Sequence, residues 1–228
     1  MTVRPQARAT RSTRATGWVP FALVALVLIP AVAGSLRLVE LSGGPLLLPA
    51  NPRMTASPAP VFAHVISAIA YAVLGAFQFS AALRRRHRGW HRATGRVLVA
   101  LGLAVALSAL WMTLFYARQP GTGELAFLLR LAFGSGMGAS IVLGFTAIRR
   151  GDVARHRAWM TRAYALALGS GTQVLTLGIG HAAFGTNTLT TDLCLGAAWA
   201  INLAVAEHVI RRDRDGRTVR ASAKVRTP

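Results

Sequence analysis

The chain has 228 residues, of which 53% are hydrophobic and only 14% are charged. About a quarter of the residues in a soluble domain are charged, so this composition excludes an ordinary soluble protein and indicates a membrane protein. The net charge of +19 would suit nucleic-acid binding, but 22 of the 26 Lys and Arg residues cluster in four segments outside the apolar runs, as in a protein oriented by its basic loops. A single cysteine, Cys194, excludes an internal disulfide framework.

The chain begins with a polar, basic segment and a first apolar run. Residues 1–17 carry four arginines and no acid, and we expect a disordered tail there. The run 18–36 is long enough to cross a hydrocarbon core of about 30 Å at about 1.5 Å per residue. A cleaved signal peptide, with a mature chain starting at Gly34, is the rival interpretation. We favour a retained helix, because further spans follow and no secreted domain needs export.

The remaining apolar runs predict five more membrane-spanning helices. We expect them at 61–83, 94–116, 125–148, 158–180 and 191–210. The segment 37–60 contains two glycines and five prolines, which predicts an irregular loop. Residues 211–228 form a second basic tail that we expect to be disordered. The predicted organisation is therefore a six-helix membrane domain over residues 18–210 between two tails.

Two basic connectors separate these spans. The first covers residues 84–96 and the second covers residues 149–162; each holds a His-Arg pair and a Trp and leads into an apolar run. The positive-inside rule places both connectors and both termini in the cytoplasm. Basic residues there attract anionic lipid headgroups, so the bilayer is the expected partner and nucleic acid is not. Spans two and three form a weak parallel repeat with spans four and five.

Ionisable side chains at membrane depth are costly, which makes the histidines candidates for function. His64 lies about one turn into the second span, and His91 and His156 occupy equivalent places in the two connectors. Facing imidazoles hold haem in membrane b-type cytochromes. The possible pairs are His64 with His181 on the outer side, and His91 with His156 or His208 on the inner side. The alternative is that these are interfacial histidines hydrogen-bonded to loops or headgroups.

A second polar group lies near the cytoplasmic ends of the later spans. Arg96 and Arg162 each fall about one turn inside a span, and Glu207 lies near the end of the sixth. A buried carboxylate needs a partner, and a guanidinium binds it in a bidentate way. We expect Arg96 or Arg162 to pair with Glu207, with Asn202 nearby. The pair is either a structural clamp between helices or part of a proton or anion route.

Several short motifs occur together in this chain. They are His64, the stretch Gly-Ala-Phe-Gln-Phe at 75–79, His-Arg-x-x-Gly-Arg at 91–96, Gly151 with Asp152, His-Arg-x-Trp-Met-x-Arg-x-Tyr at 156–164, and the stretch from Trp199 through Asn202 and Leu203 to Glu207. Together they resemble a family of bacterial predicted membrane proteins, domain of unknown function 2306. The resemblance covers roughly residues 60–210, and the motif at 156–164 is its most specific part.

The resemblance implies a helical membrane domain and supplies no reaction. Family members often carry a further arginine in the second half of the fifth span, and residues 173–180 have none. His181 and His208 do not belong to the family pattern. That leaves His64, His91 and His156 as the better candidates for cofactor ligands.

We therefore expect an all-α, polytopic protein of the bacterial cytoplasmic membrane, built as a six-transmembrane-helix bundle. The expected function is a binding role for a lipophilic ligand or for haem b. The alternatives are a membrane oxidoreductase subunit of the b-type cytochrome kind and a small transporter. A homo-oligomer, or a complex with another membrane protein, is compatible with each of them.

Overall fold

The computed structural model describes residues 18–225, and every regular element in that range is a helix. The all-α prediction is thus confirmed for the described residues, whereas the predicted N-terminal tail at 1–17 and residues 226–228 lie outside them. The helices are α1 Val19–Leu26, α2 Leu28–Leu41, α3 Pro52–Ala56, α4 Ala59–Gln78, α5 Ala81–Arg86, α6 Arg88–Phe115, α7 Glu124–Arg149, α8 Val153–Ala167, α9 Gly169–Phe184 and α10 Thr188–Val225.

Within the described range, four helices are long and apolar enough to cross a membrane: α4, α6, α7 and the part of α10 from Thr188 to Asp215. The bent pair α1 and α2 makes a fifth if it is one span. Six spans are not confirmed, because the predicted fifth span is divided between α8 and α9. α10 extends past residue 210, the predicted end of the sixth span, as far as Val225, within the predicted disordered tail.

The first interruption lies at Val27, where α1 and α2 meet at an angle of 46°. Its cause is Pro30, which has no N–H to donate to the carbonyl of Leu26 and whose ring crowds that carbonyl. The helix resumes and runs to Leu41. The irregular loop that the sequence predicts from residue 37 therefore begins only after Leu41.

The second interruption lies at Leu168, between α8 and α9, and is followed by Gly169, Ser170 and Gly171. Adjacent glycine and serine are a common cause of helix kinks. The two interruptions touch, because a Cβ atom added to Gly171 would collide with the carbonyl group of Leu26. A residue without a side chain is what allows the two backbones to approach so closely.

The core lies between α4, α6, α7 and α8 and is centred on two tyrosines, Tyr71 and Tyr164. The hydroxyl of Tyr164 donates to the carbonyl of Ala72 on α4 at 2.7 Å. Its ring lies 5.0 Å from the ring of Phe79, centroid to centroid, and against Gly75, where a Cβ atom would collide with it. The 75–79 motif and the 156–164 motif therefore pack directly against each other.

Both basic connectors lie at the same end of the bundle, which we call the connector end. Burial lowers the pKa of Arg84 in the first connector, the positive charges of Arg157 and Arg85 lower that pKa further, and Asp213 raises it. Because Arg157 belongs to the second connector, the two connectors are close to each other. Arg157 also forms a salt bridge with Asp213 on α10, with a nitrogen–oxygen distance of 2.6 Å. The start of α7 and the end of α9 lie at the other end, which we call the opposite end.

Candidate functional site

Arg162 on α8 and Glu207 on α10 form a bidentate ion pair at the connector end. The Nε–H of Arg162 donates to Oε1 of Glu207 at 2.5 Å, and Nη2 donates to Oε2 at 3.0 Å. The Arg162 guanidinium also lies over the Trp159 ring, 4.6 Å from its centroid. Arg96, the other candidate partner, is exposed on α6. The choice follows from packing, because α8 lies against α10 whereas α6 packs on α4 and α7.

Asn202 does not join that ion pair; it lies over the interruption between α8 and α9. Its Nδ2 donates to the carbonyl of Ala165 at 3.1 Å. Its Oδ1 accepts from the hydroxyl of Thr172 at 2.9 Å. Trp199, on the same helix, packs against Gly169, where a Cβ atom would collide with the indole. Of the four polar residues that the sequence groups together, Arg162, Glu207 and Asn202 thus form two separate contacts between α10 and its neighbours. Arg96 takes part in neither.

His156 and His91 both lie at the connector end. The Nδ1 of His156 is 2.8 Å from the carbonyl of Gly144. A carbonyl only accepts, so Nδ1 carries the hydrogen, and in a neutral imidazole with that tautomer Nε2 has the lone pair. In the described part of the chain, the buried Nδ1 of His91 has no hydrogen-bond partner, and Arg84 and His156 lie close enough to interact with His91 electrostatically. The structure therefore brings the two connector histidines into one electrostatic environment.

His64 and His181 lie at the opposite end and have separate partners. The Nδ1 of His64 is 3.1 Å from Oγ of Ser108 and 3.3 Å from the carbonyl of Val105, both on α6. The Nε2 of His181 is 3.0 Å from the hydroxyl of Thr191 on α10. Each histidine thus ties its own helix to a different neighbour. His208 is exposed on α10.

Two cavities accompany these groups. The connector-end cavity, of about 430 Å³, lies between α8 and α10 and has the Arg157–Asp213 salt bridge in its wall. The opposite-end cavity, of about 390 Å³, lies between α7, α9, α10 and the loop before α7. The residues that line the opposite-end cavity are Gln119, Thr122, Arg130, Ser170, Gln173, Val174, Leu177, Thr191, Leu195 and Trp199.

The acid nearest to the opposite-end cavity, Asp192 on α10, is already engaged. It is 2% exposed, and its carboxylate accepts from the backbone N–H groups of Gly123 and Ala126 at 3.0 to 3.1 Å. A carboxylate at this place satisfies the free N–H groups of the first turn of α7 and stabilises the helix dipole. Asp192 therefore fixes α10 to the start of α7 and so shapes the cavity wall.

The family model for a predicted membrane protein, DUF2306, matches residues 61–210. The chain belongs to this family. A comparison with the curated proteins and another with the solved structures found no match. The DUF2306 region contains α5 to α9 and most of α4 and α10, and it leaves the bent pair α1 and α2 outside. Family membership and the apolar helices together identify a membrane-embedded protein.

Within the DUF2306 region, the sequence interpretation missed the opposite-end cavity. In that interpretation Arg130 is only one of the four basic residues outside the four basic clusters. Gln173 is only the first residue of a stretch without arginine. The available signal was an arginine inside an apolar helix with no acid three or four positions away. Which residues would face it across the bundle depends on how α9 and α10 pack, and no motif encodes that.

Proposed function

We propose that this DUF2306 protein binds a lipophilic ligand in the opposite-end cavity. The observation that carries the proposal is the cavity itself: about 390 Å³, lined by four apolar residues, Val174, Leu177, Leu195 and Trp199, and by six polar ones. Ligand sites typically have volumes of about 300–1,000 Å³ and combine apolar walls with placed polar groups.

The test uses the fluorescence of Trp199, which lines the cavity. A variant that keeps Trp199 as its only tryptophan is titrated in detergent with brominated dodecyl compounds, which quench indole on contact. A variant that keeps only Trp111, which is 51% exposed, is the control. We expect saturable quenching of Trp199 and gradual, unsaturated quenching of Trp111. If no brominated compound quenches Trp199 with saturation, the proposal fails.

Filling the cavity gives a second, independent test. Val174→Phe adds volume to the cavity wall, whereas Leu175→Phe changes the next residue on α9, which is 55% exposed. We expect Val174→Phe to weaken quenching of Trp199 at least about tenfold, because the larger side chain fills space in the cavity. Leu175→Phe should leave quenching unchanged, because Leu175 does not line the cavity. Equal effects of the two variants would argue against the cavity as the binding site.

The topology that accompanies this proposal has six spans in the bacterial cytoplasmic membrane. We propose that the bent pair α1 and α2 forms one span and the interrupted pair α8 and α9 another, with both termini and the connector end in the cytoplasm. The support is the position of the basic connectors, which lie together at one end. A fluorescent protein fused at the C-terminus should be bright, and alkaline phosphatase fused there should be inactive; the reverse result contradicts this orientation.

Haem binding is the second candidate function, and the geometry of His156 favours it. An imidazole with Nδ1–H held by a carbonyl and Nε2 free is the arrangement of a metal-ligating histidine. We propose that His156 and His91 would hold a b-type haem, which would supply one-electron chemistry when bound. Among the described residues no group of three or more His, Cys, Asp or Glu is placed to hold a metal ion. If the purified protein shows no Soret absorbance band after expression with haem supplied, haem binding is ruled out.

Transport is compatible with the same cavity. Ser170, which lies at the interruption between α8 and α9, lines the opposite-end cavity. The interruption between α8 and α9 also contacts the interruption between α1 and α2. Interrupted helices that meet at a binding site occur in secondary transporters. Uptake of the labelled ligand into proteoliposomes would separate a transporter from a binding protein, since only a transporter moves ligand across a sealed membrane.

A further inference from the structure

Arg130 on α7 differs from the other partly buried arginines of the apolar helices. Arg37 pairs with Glu40 at 2.5 Å, and Arg162 pairs with Glu207. Within the described residues Arg130 forms no salt bridge; its Nη2 donates to the neutral Oε1 of Gln119 at 2.9 Å. A guanidinium that is partly withdrawn from water without a carboxylate is costly, and a bound anion removes that cost.

The charged residues near Arg130 do not provide a carboxylate that pairs with its guanidinium. Asp192 attracts it and Arg53 repels it, both at longer range than a salt bridge. The carboxylate of Asp192 is occupied by the backbone N–H groups of Gly123 and Ala126. None of the described residues that line the opposite-end cavity is acidic. Among the described residues that line this cavity, Arg130 is therefore the charged one, and its charge is positive.

A second unused donor lines the same cavity. The Nε2 of Gln173 on α9 is buried and has no hydrogen-bond partner among the residues that the structure describes. The hydroxyl of Thr191 already donates to the carbonyl of Asn187 at 2.9 Å. The unmet hydrogen-bonding capacity is thus concentrated in N–H groups of Arg130 and Gln173, which a carboxylate accepts strongly.

We infer that the ligand of the opposite-end cavity is a single-chain amphiphile with a carboxylate headgroup, bound by Arg130 and Gln173. The inference rests on the proposed function, and it adds the ligand's charge and class. Val174, Leu177, Leu195 and Trp199 supply apolar surface for the chain. A volume of about 390 Å³ lies near the lower end of the range for ligand sites, which favours one chain over the two of a phospholipid.

The experiment compares brominated dodecanoic acid with its methyl ester as quenchers of Trp199, at a pH where the acid is ionised. We expect the acid to bind at least about tenfold more tightly, since hydrogen bonds to charged groups are among the strongest. Arg130→Gln should remove the difference, Arg130→Lys should keep part of it, and Gln173→Leu should reduce it. Arg118→Gln is the matched control, because Arg118 lies at the same end but pairs with the exposed Glu124 outside the cavity wall.

The outcomes separate this inference from the proposed function. Equal binding of acid and ester to the unaltered protein overturns the carboxylate headgroup while a lipophilic site remains. Failure of both compounds to quench with saturation overturns the two proposals together. Displacement of the acid by vesicles of anionic phospholipid, at concentrations where neutral vesicles have no effect, would assign Arg130 to a phospholipid headgroup and overturn the single-chain ligand.

Discussion

Asn202 on α10 donates its side-chain amide to the carbonyl of Ala165, near the point where α8 ends. The same side chain accepts from Thr172 in the first turn of α9. One asparagine thus bridges both sides of a helix interruption from a neighbouring helix. Backbone carbonyls near the end of a helix lack donors within it, and a buried one needs a partner from elsewhere. Asn202 therefore stabilises the interrupted form of α8 and α9.

Replacing Asn202 with leucine should destabilise the protein by about 1–3 kcal/mol, because it leaves the Ala165 carbonyl and the Thr172 hydroxyl without their partner. Thr113→Val is the control, since the Thr113 hydroxyl donates only within its own helix, to Ala109, and its loss should cost less than about 0.5 kcal/mol. Thermal unfolding in a mild detergent measures both variants. Equal stabilities would show that the bridge contributes nothing.

The Arg162–Glu207 ion pair should contribute a coupling free energy of about 1 kcal/mol in a double-mutant cycle with Arg162→Met and Glu207→Gln. The side chains are 22% and 37% exposed, so solvent screens them partly. The Arg157–Asp213 pair, at 43% and 46% exposure, is the internal comparison and should give less than about 0.5 kcal/mol. A coupling near zero for Arg162–Glu207 would exclude a structural clamp and leave the proton or anion route as its remaining interpretation.

The helices that the sequence predicts well are those whose apolar runs are continuous. Spans two, three, four and six each contain a candidate membrane-spanning helix. The interruptions were not predicted. Pro30 removes the hydrogen bond to the Leu26 carbonyl, but beside small residues it also suits a signal-peptide cleavage site, so the local sequence fits both a bent helix and a cleaved one. Gly169, Ser170 and Gly171 after Leu168 favour a kink, but Asn202, which bridges the break, is distant in sequence.

The polar contacts show the same division between local and distant information. That Glu207 needs a cationic partner follows from its apolar surroundings, but Arg96 and Arg162 have equivalent positions in the repeat. Only the packing of α8 on α10 decides between them. Likewise, Asn202 is close to Glu207 along α10 but contacts the interruption of α8 and α9 instead. A pattern along one helix predicts the need for a partner, whereas the partner is chosen by the arrangement of helices.

Tyr164→Phe should destabilise the protein by about 0.5–1.5 kcal/mol, the usual contribution of one hydrogen bond. The variant removes the hydroxyl that donates to Ala72 and leaves the ring on Gly75. Tyr71→Phe is the matched control, since Tyr71 is 3% exposed and its hydroxyl has no hydrogen-bond partner among the described residues. We expect that change to be neutral or stabilising. Thermal unfolding of the two single variants checks the order, and a larger loss for Tyr71→Phe would contradict the assignment of the hydrogen bond.

Gly171→Ala should be the most disruptive alanine substitution in α9, because the new methyl group would meet the Leu26 backbone. A backbone contact cannot be relieved by a change of rotamer, so we expect a loss of about 1–3 kcal/mol, or separation of α1 from α9. Gly178→Ala, on the same helix with no atom within 4 Å of the added methyl, should stabilise by about 0.5–1 kcal/mol. Crosslinking between cysteines introduced at Ala25 and Ser170, after Cys194→Ser, reports whether the two interruptions stay together. Unchanged stability and crosslinking in Gly171→Ala would show that they do not depend on this close approach.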